Sequence, residues 1–144
     1  MISNKCNYAL RALLELAKRE GAGPATIVDI ATAQQIPSRF LEAILRQLKQ
    51  AGLTESVRGK RGGYVLARPA RDIAMGEVIH LIEGPFFDAA APAEDQPDPS
   101  YDVFRAVWQQ AAAALDDVYN SVTLADLAEK ERQFALQYVP DYSI

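Results

Sequence analysis

The chain has 144 residues, 49% of them hydrophobic and 24% charged, which is the composition of an ordinary globular domain rather than of a disordered or fibrous chain. Its single cysteine, Cys6, excludes an intrachain disulfide, and its single histidine, His80, excludes metal motifs that need two histidines. The net charge is −4, but residues 1–71 carry 12 Lys and Arg against 5 Asp and Glu, and residues 72–144 carry 3 against 14. This asymmetry is typical of a chain whose first half meets a polyanion, although chance segregation of solvated charges produces it too.

No segment has the pattern of a membrane span or a signal peptide. The apolar run at residues 78–82 is far shorter than the roughly 18 residues that a bilayer span needs. Residues 1–20 interleave Lys5 and Arg11 with apolar positions, which a signal-peptide core does not do. We therefore expect a cytoplasmic protein.

Two helices are predicted before residue 35. A stripe of Ala and Leu at helical spacing predicts a helix over residues 4–20, and the Gly-rich segment 21–24 ends it. Thr26 can then cap a second helix over residues 27–34, with Asp29 favoured in its first turn.

A third helix follows after a tight turn. Pro37 cannot lie inside the second helix, so Ser38 is the expected cap of a helix over residues 39–51, which Gly52 ends. One face of this helix is apolar. The opposite face and its edge carry Arg39, Glu42, Ala43, Arg46 and Gln50.

Two short strands, over residues 53–57 and 64–67, flank a loop of three glycines and three cations. Because glycine adopts a positive φ readily, this loop predicts a β-hairpin with a charged tip. A phosphate-binding loop is excluded, since no Gly-Lys-Ser/Thr ending and no helix follow it.

The order helix, short helix, turn, helix, hairpin is that of a winged helix-turn-helix. A helix about 20 Å long fits the major groove, where Arg suits guanine and a carboxylate accepts from cytosine, and wing cations reach phosphates or a narrow minor groove. Each cation alone is best explained as a solvated charge, but the excess and the motif order together favour DNA binding. The residues expected at the DNA are Thr26, Ser38, Arg39, Glu42, Ala43, Arg46, Arg58, Gly59, Lys60 and Arg61.

The second half is predicted to be helical with one interruption. An amphipathic helix runs from residue 74 or 75 to 83, and a loop at residues 88–100, rich in Pro, Ala and acids, has no periodicity and is expected to be flexible. A long helix follows over residues 101–122, and a capping-box variant at residues 123–126 starts the last helix, which ends near residue 135.

We therefore divide the chain into three parts. Residues 1–72 form the predicted DNA-binding domain, residues 73–135 a helical dimerisation and effector region with its flexible loop at 86–100, and residues 136–144 a tail. The long helix, about 30 Å, has little of its own chain to pack on, so a homodimer is expected. The residues expected to bury themselves against the second copy are Phe104, Val107, Trp108, Leu115 and Val118.

Several segments resemble one family of bacterial regulators. They are Phe40-Leu41-Glu42, Leu48-Lys49-Gln50-Ala51-Gly52-Leu53, Ser56-Val57-Arg58-Gly59 and Gly62-Gly63-Tyr64-Val65-Leu66-Ala67-Arg68. The chain is similar over roughly residues 2–128 to regulators of the IscR, NsrR and CymR type, the Rrf family, most specifically in its Arg-Gly-x-x-Gly-Gly-Tyr wing. The resemblance implies a homodimeric transcription regulator whose long penultimate helix pairs with its mate. It also implies that Glu42 and Arg58 lie at the DNA.

The chain departs from the family in one respect. Many relatives hold an iron–sulfur cluster on three cysteines before the long helix, but residues 86–104 contain none. Arg105 stands in the slot that is often a cluster-supporting histidine, and Asn7 stands where some relatives place an acidic ligand. The resemblance therefore points to a cluster-less branch with no cofactor, some members of which sense through a partner enzyme or a small molecule.

Other candidates for chemistry are weak. We expect Cys6 to be a buried inert thiol rather than a redox centre, and His80 to be a helix-face residue rather than a base. Asp116 and Asp117 diverge by about 100° on a helix and do not form a carboxylate pair. Phe86 and Phe87 are expected to anchor the loop that follows them, with an effector pocket as the alternative. A small enzyme is disfavoured.

The sequence predicts a DNA-binding repressor that acts on a palindromic operator, and the rival function is a winged-helix interaction module that senses through a partner enzyme.

Overall fold

The computed structural model describes residues 2–86 and 99–138, and in this part of the chain helices dominate. The elements are α1 Asn4–Lys18, α2 Ile27–Gln34, α3 Ser38–Gln50, β1 Thr54–Val57, β2 Gly63–Leu66, a 3₁₀ turn Ala70–Asp72, α4 Met75–Glu83, α5 Pro99–Asn120 and α6 Leu124–Gln137. The predicted mainly α fold with a β-hairpin wing and a long C-terminal helix is confirmed. Most of the loop predicted at residues 86–100, and the tail beyond residue 138, lie outside the described residues.

Two threonines begin helices as the sequence predicts. The Thr26 hydroxyl accepts a hydrogen bond from the Asp29 amide at 3.1 Å, and the Asp29 carboxylate accepts one from the Thr26 amide at 3.0 Å. The hydrogen bond that the Asp29 carboxylate accepts from the Thr26 amide is the largest cause that lowers the pKa of Asp29, and the Thr26 side chain adds to it. Thr123 and Asp126 form the same reciprocal pair before α6. Each pair satisfies backbone donors that a helix start otherwise leaves open.

The expected cap at Ser38 is wrong. α3 begins at Ser38 itself, and Pro37 occupies the cap position without a side-chain hydrogen bond. The extended conformation of Pro37, with φ −59° and ψ 126°, already turns the chain into the helix, and its carbonyl accepts from the Phe40 amide at 3.0 Å. α5 begins at Pro99, two residues before the predicted start, because proline is favoured in the first turn of a helix.

The core forms around α1, which packs against α2, α3, α4 and α6. Its fully buried aliphatic side chains come from every one of these elements: Leu13, Ile30, Leu41, Leu45, Leu48, Ile79 and Leu124. Each such side chain contributes about 1.5–3 kcal/mol of transfer free energy. This packing fixes α3 on α1 through one face and leaves its other face to solvent.

One charge is buried in this core. Glu15 is only 5% exposed, and its carboxylate accepts hydrogen bonds from Gln34 and Arg19, each at 2.9 Å, with Lys18 at 3.4 Å. Burial opposes ionisation, but the hydrogen bonds from Gln34 and Arg19 and the two cationic charges outweigh it, so the pKa of Glu15 is lowered. The network ties α1 to the end of α2.

The C-terminal half of α5 packs against α4. Gly76 makes room there for Asn120, since an added Cβ would overlap the Asn120 side chain. The His80 ring nitrogen Nε2 lies 2.6 Å from Asp116. Within residues 2–86 and 99–138, no helix is long and apolar enough to cross a membrane.

Candidate nucleic-acid interface

The exposed face of α3 is the first part of the candidate interface. Arg39, Glu42, Ala43 and Arg46 are all exposed, because Leu41, Ile44, Leu45 and Leu48 turn the opposite face into the core. The helix has 13 residues and is therefore about 20 Å long, which suits the major groove.

Two contacts orient the side chains on this face. The Arg39 guanidinium lies 4.7 Å from the centroid of the Phe40 ring, which in turn stacks on Tyr8 of α1 with 5.9 Å between ring centroids. One turn later Arg46 pairs with Glu42 at 3.3 Å. Because this pair is exposed, it stabilises the fold little and can exchange for base or phosphate contacts.

The hairpin forms the wing. Its strands pair antiparallel in the register Thr54 with Leu66 through Val57 with Gly63. At the tip, Gly59 has a φ of +120°, and the Gly62 amide donates to the Gly59 carbonyl at 3.0 Å. An added Cβ at Gly62 would overlap the Val57 carbonyl oxygen. The glycines therefore permit the tight loop that carries the cations.

Backbone pairing fixes the wing to the rest of the domain. The amides of Ala25 and Tyr64 donate to each other's carbonyls at 3.0 and 2.7 Å. Gly63 must be glycine for this approach, since an added Cβ would overlap the Ala25 carbonyl. From the other side, Lys49 of α3 donates to the Ser56 hydroxyl at 2.6 Å. The start of α2, the end of α3 and the wing are therefore tied to one another.

The ten residues predicted at the DNA share one property: the structure places every one of them on the surface. Arg58, Lys60 and Arg61 have no carboxylate within salt-bridge distance in residues 2–86 and 99–138. Sequence reasoning missed Lys49, whose contact with Ser56 depends on the hairpin, and Lys5, which lies beside the first turn of α3. Only the overall basic excess of the first half could have indicated them.

The other candidates of the sequence are buried or contact neighbouring side chains. Cys6 is fully buried, and burial, with the nearby Glu83 charge, raises the pKa of its thiol to about 11. Asp116 faces His80, so it does not pair with Asp117. Phe86 packs between His80 and Tyr119, at centroid distances of 5.1 and 5.7 Å. Among the described residues, no group of three or more His, Cys, Asp and Glu side chains is placed to hold a metal ion.

The apolar face of α5 is uncovered in the single chain. The exposed fractions of its large side chains are 57% for Phe104, 60% for Val107, 52% for Trp108, 42% for Leu115 and 59% for Val118. Residues 104, 108, 111, 115 and 118 follow the spacing of a coiled-coil seam.

Comparison with known proteins gives a consistent result. The family described as "Rrf2: Iron-dependent Transcriptional regulator" matches residues 2–130. The transcriptional regulator CymR of Bacillus subtilis (strain 168) is 35% identical over 127 residues, which are 88% of each chain.

Solved structures agree. The structure of CymR (YrzC), described as the global cysteine regulator of B. subtilis, superposes with a TM-score of 0.78 at 36% identity over 90% of this chain and 97% of that one. The IscR of T. potens superposes with a TM-score of 0.78 at 31% identity, over 99% of this chain and 94% of that one.

Proposed function

This chain belongs to the Rrf2 family and is a DNA-binding transcription regulator, not an enzyme, and from that premise we propose that it acts as a homodimeric repressor on a palindromic operator. The observation that carries operator binding in this proposal is the wing, whose three cations lack carboxylate partners in the described part of the chain and whose strands are tied to α2 and α3. Cations held in this way are ready to bind a polyanion.

We assign the two surfaces different roles. Arg39 and Arg46 can each donate two hydrogen bonds to guanine O6 and N7, Glu42 can accept from cytosine N4, and the small Ala43 lets the helix approach a thymine methyl. Lys60 and Arg61 meet phosphates or a narrow minor groove, and their contacts release counterions without reading sequence. Base selection therefore resides in α3, and sequence-independent affinity resides in the wing.

The dimer sets the operator's symmetry. If α5 pairs with its copy through Trp108 and its neighbours, a two-fold axis relates the recognition helices. They then reach half-sites one DNA turn, about 34 Å, or a multiple apart. A dimer seated on a promoter excludes polymerase from that DNA, which is why we propose repression. In vitro transcription from an operator-bearing promoter should fall as protein is added, and a rise would reverse this assignment.

We propose further that the regulator holds no iron–sulfur cluster. Such clusters are held by cysteine thiolates, commonly four. The 144-residue chain supplies one cysteine, and Cys6 is fully buried in α1 with its thiol pKa raised to about 11. The residues present therefore do not fit an iron–sulfur cluster, although the family is described as iron-dependent. Anaerobic purification should yield colourless protein, and stoichiometric iron and sulfide would contradict the assignment.

The DNA-binding roles can be separated by mutation. Replacing both Lys60 and Arg61 with alanine should weaken binding to all sequences alike and reduce the slope of log affinity against log salt by about one to two. Replacing Arg39 or Glu42 should instead change which bases a selection from random DNA recovers. Lys130→Ala, an exposed cation of α6, is the matched control and should change neither. If the wing double variant and both α3 variants bind like the wild type, the assigned interface is wrong.

A further inference from the structure

A groove lies between the N-terminal half of α1 and the first turns of α3, and the DNA-binding roles proposed for Arg39 and Ala43 do not explain its aromatic floor. Its volume is about 340 Å³, which falls within the range of small-molecule sites. Its floor is apolar and its rim is basic. The floor consists of Tyr8, Phe40, Ala43 and Ile44, and the rim carries Lys5 and Arg39.

The floor presents an aromatic surface. Tyr8 and Phe40 stack with their planes 19° apart, and 41% of Phe40 stays exposed in the chain. A flat apolar ring placed on this surface would remove the exposed part of Phe40 from water and gain the offset stacking that aromatic rings favour.

The rim adds positive charge with no counter-charge. Neither Lys5 nor Arg39 has a carboxylate within salt-bridge distance in the described residues, and Arg39 is held over the Phe40 ring. An anion that enters the groove therefore meets two cations that no carboxylate of the described residues pairs with. Charge-assisted hydrogen bonds to carboxylates are stronger than neutral ones.

A second groove of the chain has a similar aromatic and cationic lining but differs from the first in containing an acidic residue. This second groove lies between α1 and α6 and has a volume of about 310 Å³. In it the Lys130 ammonium lies 6.0 Å from the centroid of the Phe134 ring. That groove also contains Glu131, which pairs with Lys18 at 2.9 Å. Its aromatic and cationic parts are similar, but the acid opposes an anionic ligand.

We propose that the groove between α1 and α3 binds a small aromatic carboxylate, with the ring on Phe40 and the carboxylate between Lys5 and Arg39. A phosphate alone would leave the aromatic floor unused. A second protein chain needs about 800 Å² of surface per partner, far more than this groove offers. Because the ligand takes up Arg39, it competes with the operator, and this regulatory part rests on the proposed function.

Titration calorimetry of the full chain without DNA tests the site. The probe is 2-naphthoate, and 2-naphthamide is its uncharged isostere. Lys5→Gln should weaken naphthoate about tenfold and leave naphthamide unchanged, since a hydrogen bond to a charged group is lost. Phe40→Ala should weaken both probes, and circular dichroism checks that it folds. Phe134→Ala is the matched control and should change neither.

Three results would overturn the site: no binding of naphthoate, equal binding to Lys5→Gln and wild type, or loss of binding in Phe134→Ala. Competition is measured separately, by the operator affinity with and without saturating naphthoate, and an unchanged affinity refutes the regulatory part. A protein that binds naphthoate in calorimetry but binds no DNA would refute the proposed function and leave the site intact.

Discussion

Trp108→Ala is expected to convert the proposed homodimer to a monomer without unfolding the chain. Trp108 lies on the uncovered face of α5, where its ring stacks on Phe104 with 6.1 Å between centroids, and 52% of the residue is exposed. The exposed half of the ring contributes nothing to the fold of the single chain, so its loss acts mainly on association.

The magnitude follows from the exposed area. A tryptophan side chain buries up to about 250 Å², so its exposed half offers about 130 Å² to a partner. At about 25 cal/mol per Å² this is about 3 kcal/mol for each copy. A symmetric dimer loses both copies at once, so about 5 kcal/mol remains after the alanine's own contact is allowed for. The dissociation constant should rise by roughly a thousandfold or more.

Sedimentation equilibrium over a dilution series measures this change directly. Phe134→Ala, on α6 and 60% exposed, is the matched control and should leave the association unchanged. Helix content should be the same in all three proteins. A wild type that is monomeric at micromolar concentration, or a Trp108→Ala variant that associates like the wild type, would refute the assignment of α5 as the dimer interface.

Three further predictions concern the fold. Glu15→Gln should lower the free energy of unfolding by about 1–2 kcal/mol at neutral pH. The folded-state pKa of Glu15 lies below its ordinary value of 4.5, so the contribution of the carboxylate to stability is present above that value and is lost as the pH falls through the folded pKa. Urea melts of the two proteins should therefore converge at acid pH. Cys6 should resist a thiol reagent at pH 8 until the protein is unfolded, and rapid labelling of the native chain would contradict its burial. Gly63→Ala should loosen the wing, because the added Cβ would overlap the Ala25 carbonyl. Faster amide hydrogen exchange in the wing measures this change. The control is Gly21→Ala, which is also strained at φ +80° but has open space around it, and it should leave exchange in the wing unchanged.

The local features of this chain could be predicted from the sequence. Thr26 with Asp29 specifies a capping box within four residues, and the glycine-rich segment before Tyr64 specifies a tight hairpin. The chemistry of these elements is contained in a few consecutive residues, so the winged helix-turn-helix order followed from them. Ser38 was the exception, because Pro37 already sets the backbone that a cap would provide.

The contacts between distant residues were decided only by the tertiary structure. The sequence gives no sign that Asp116 faces His80, 36 positions away, or that Gln34 donates to Glu15. It also does not show that Tyr8 stacks on Phe40 and so builds an aromatic floor beside Arg39. Such contacts depend on how α1 packs against its neighbours, and helical periodicity determines which face is buried but not which side chains meet across it.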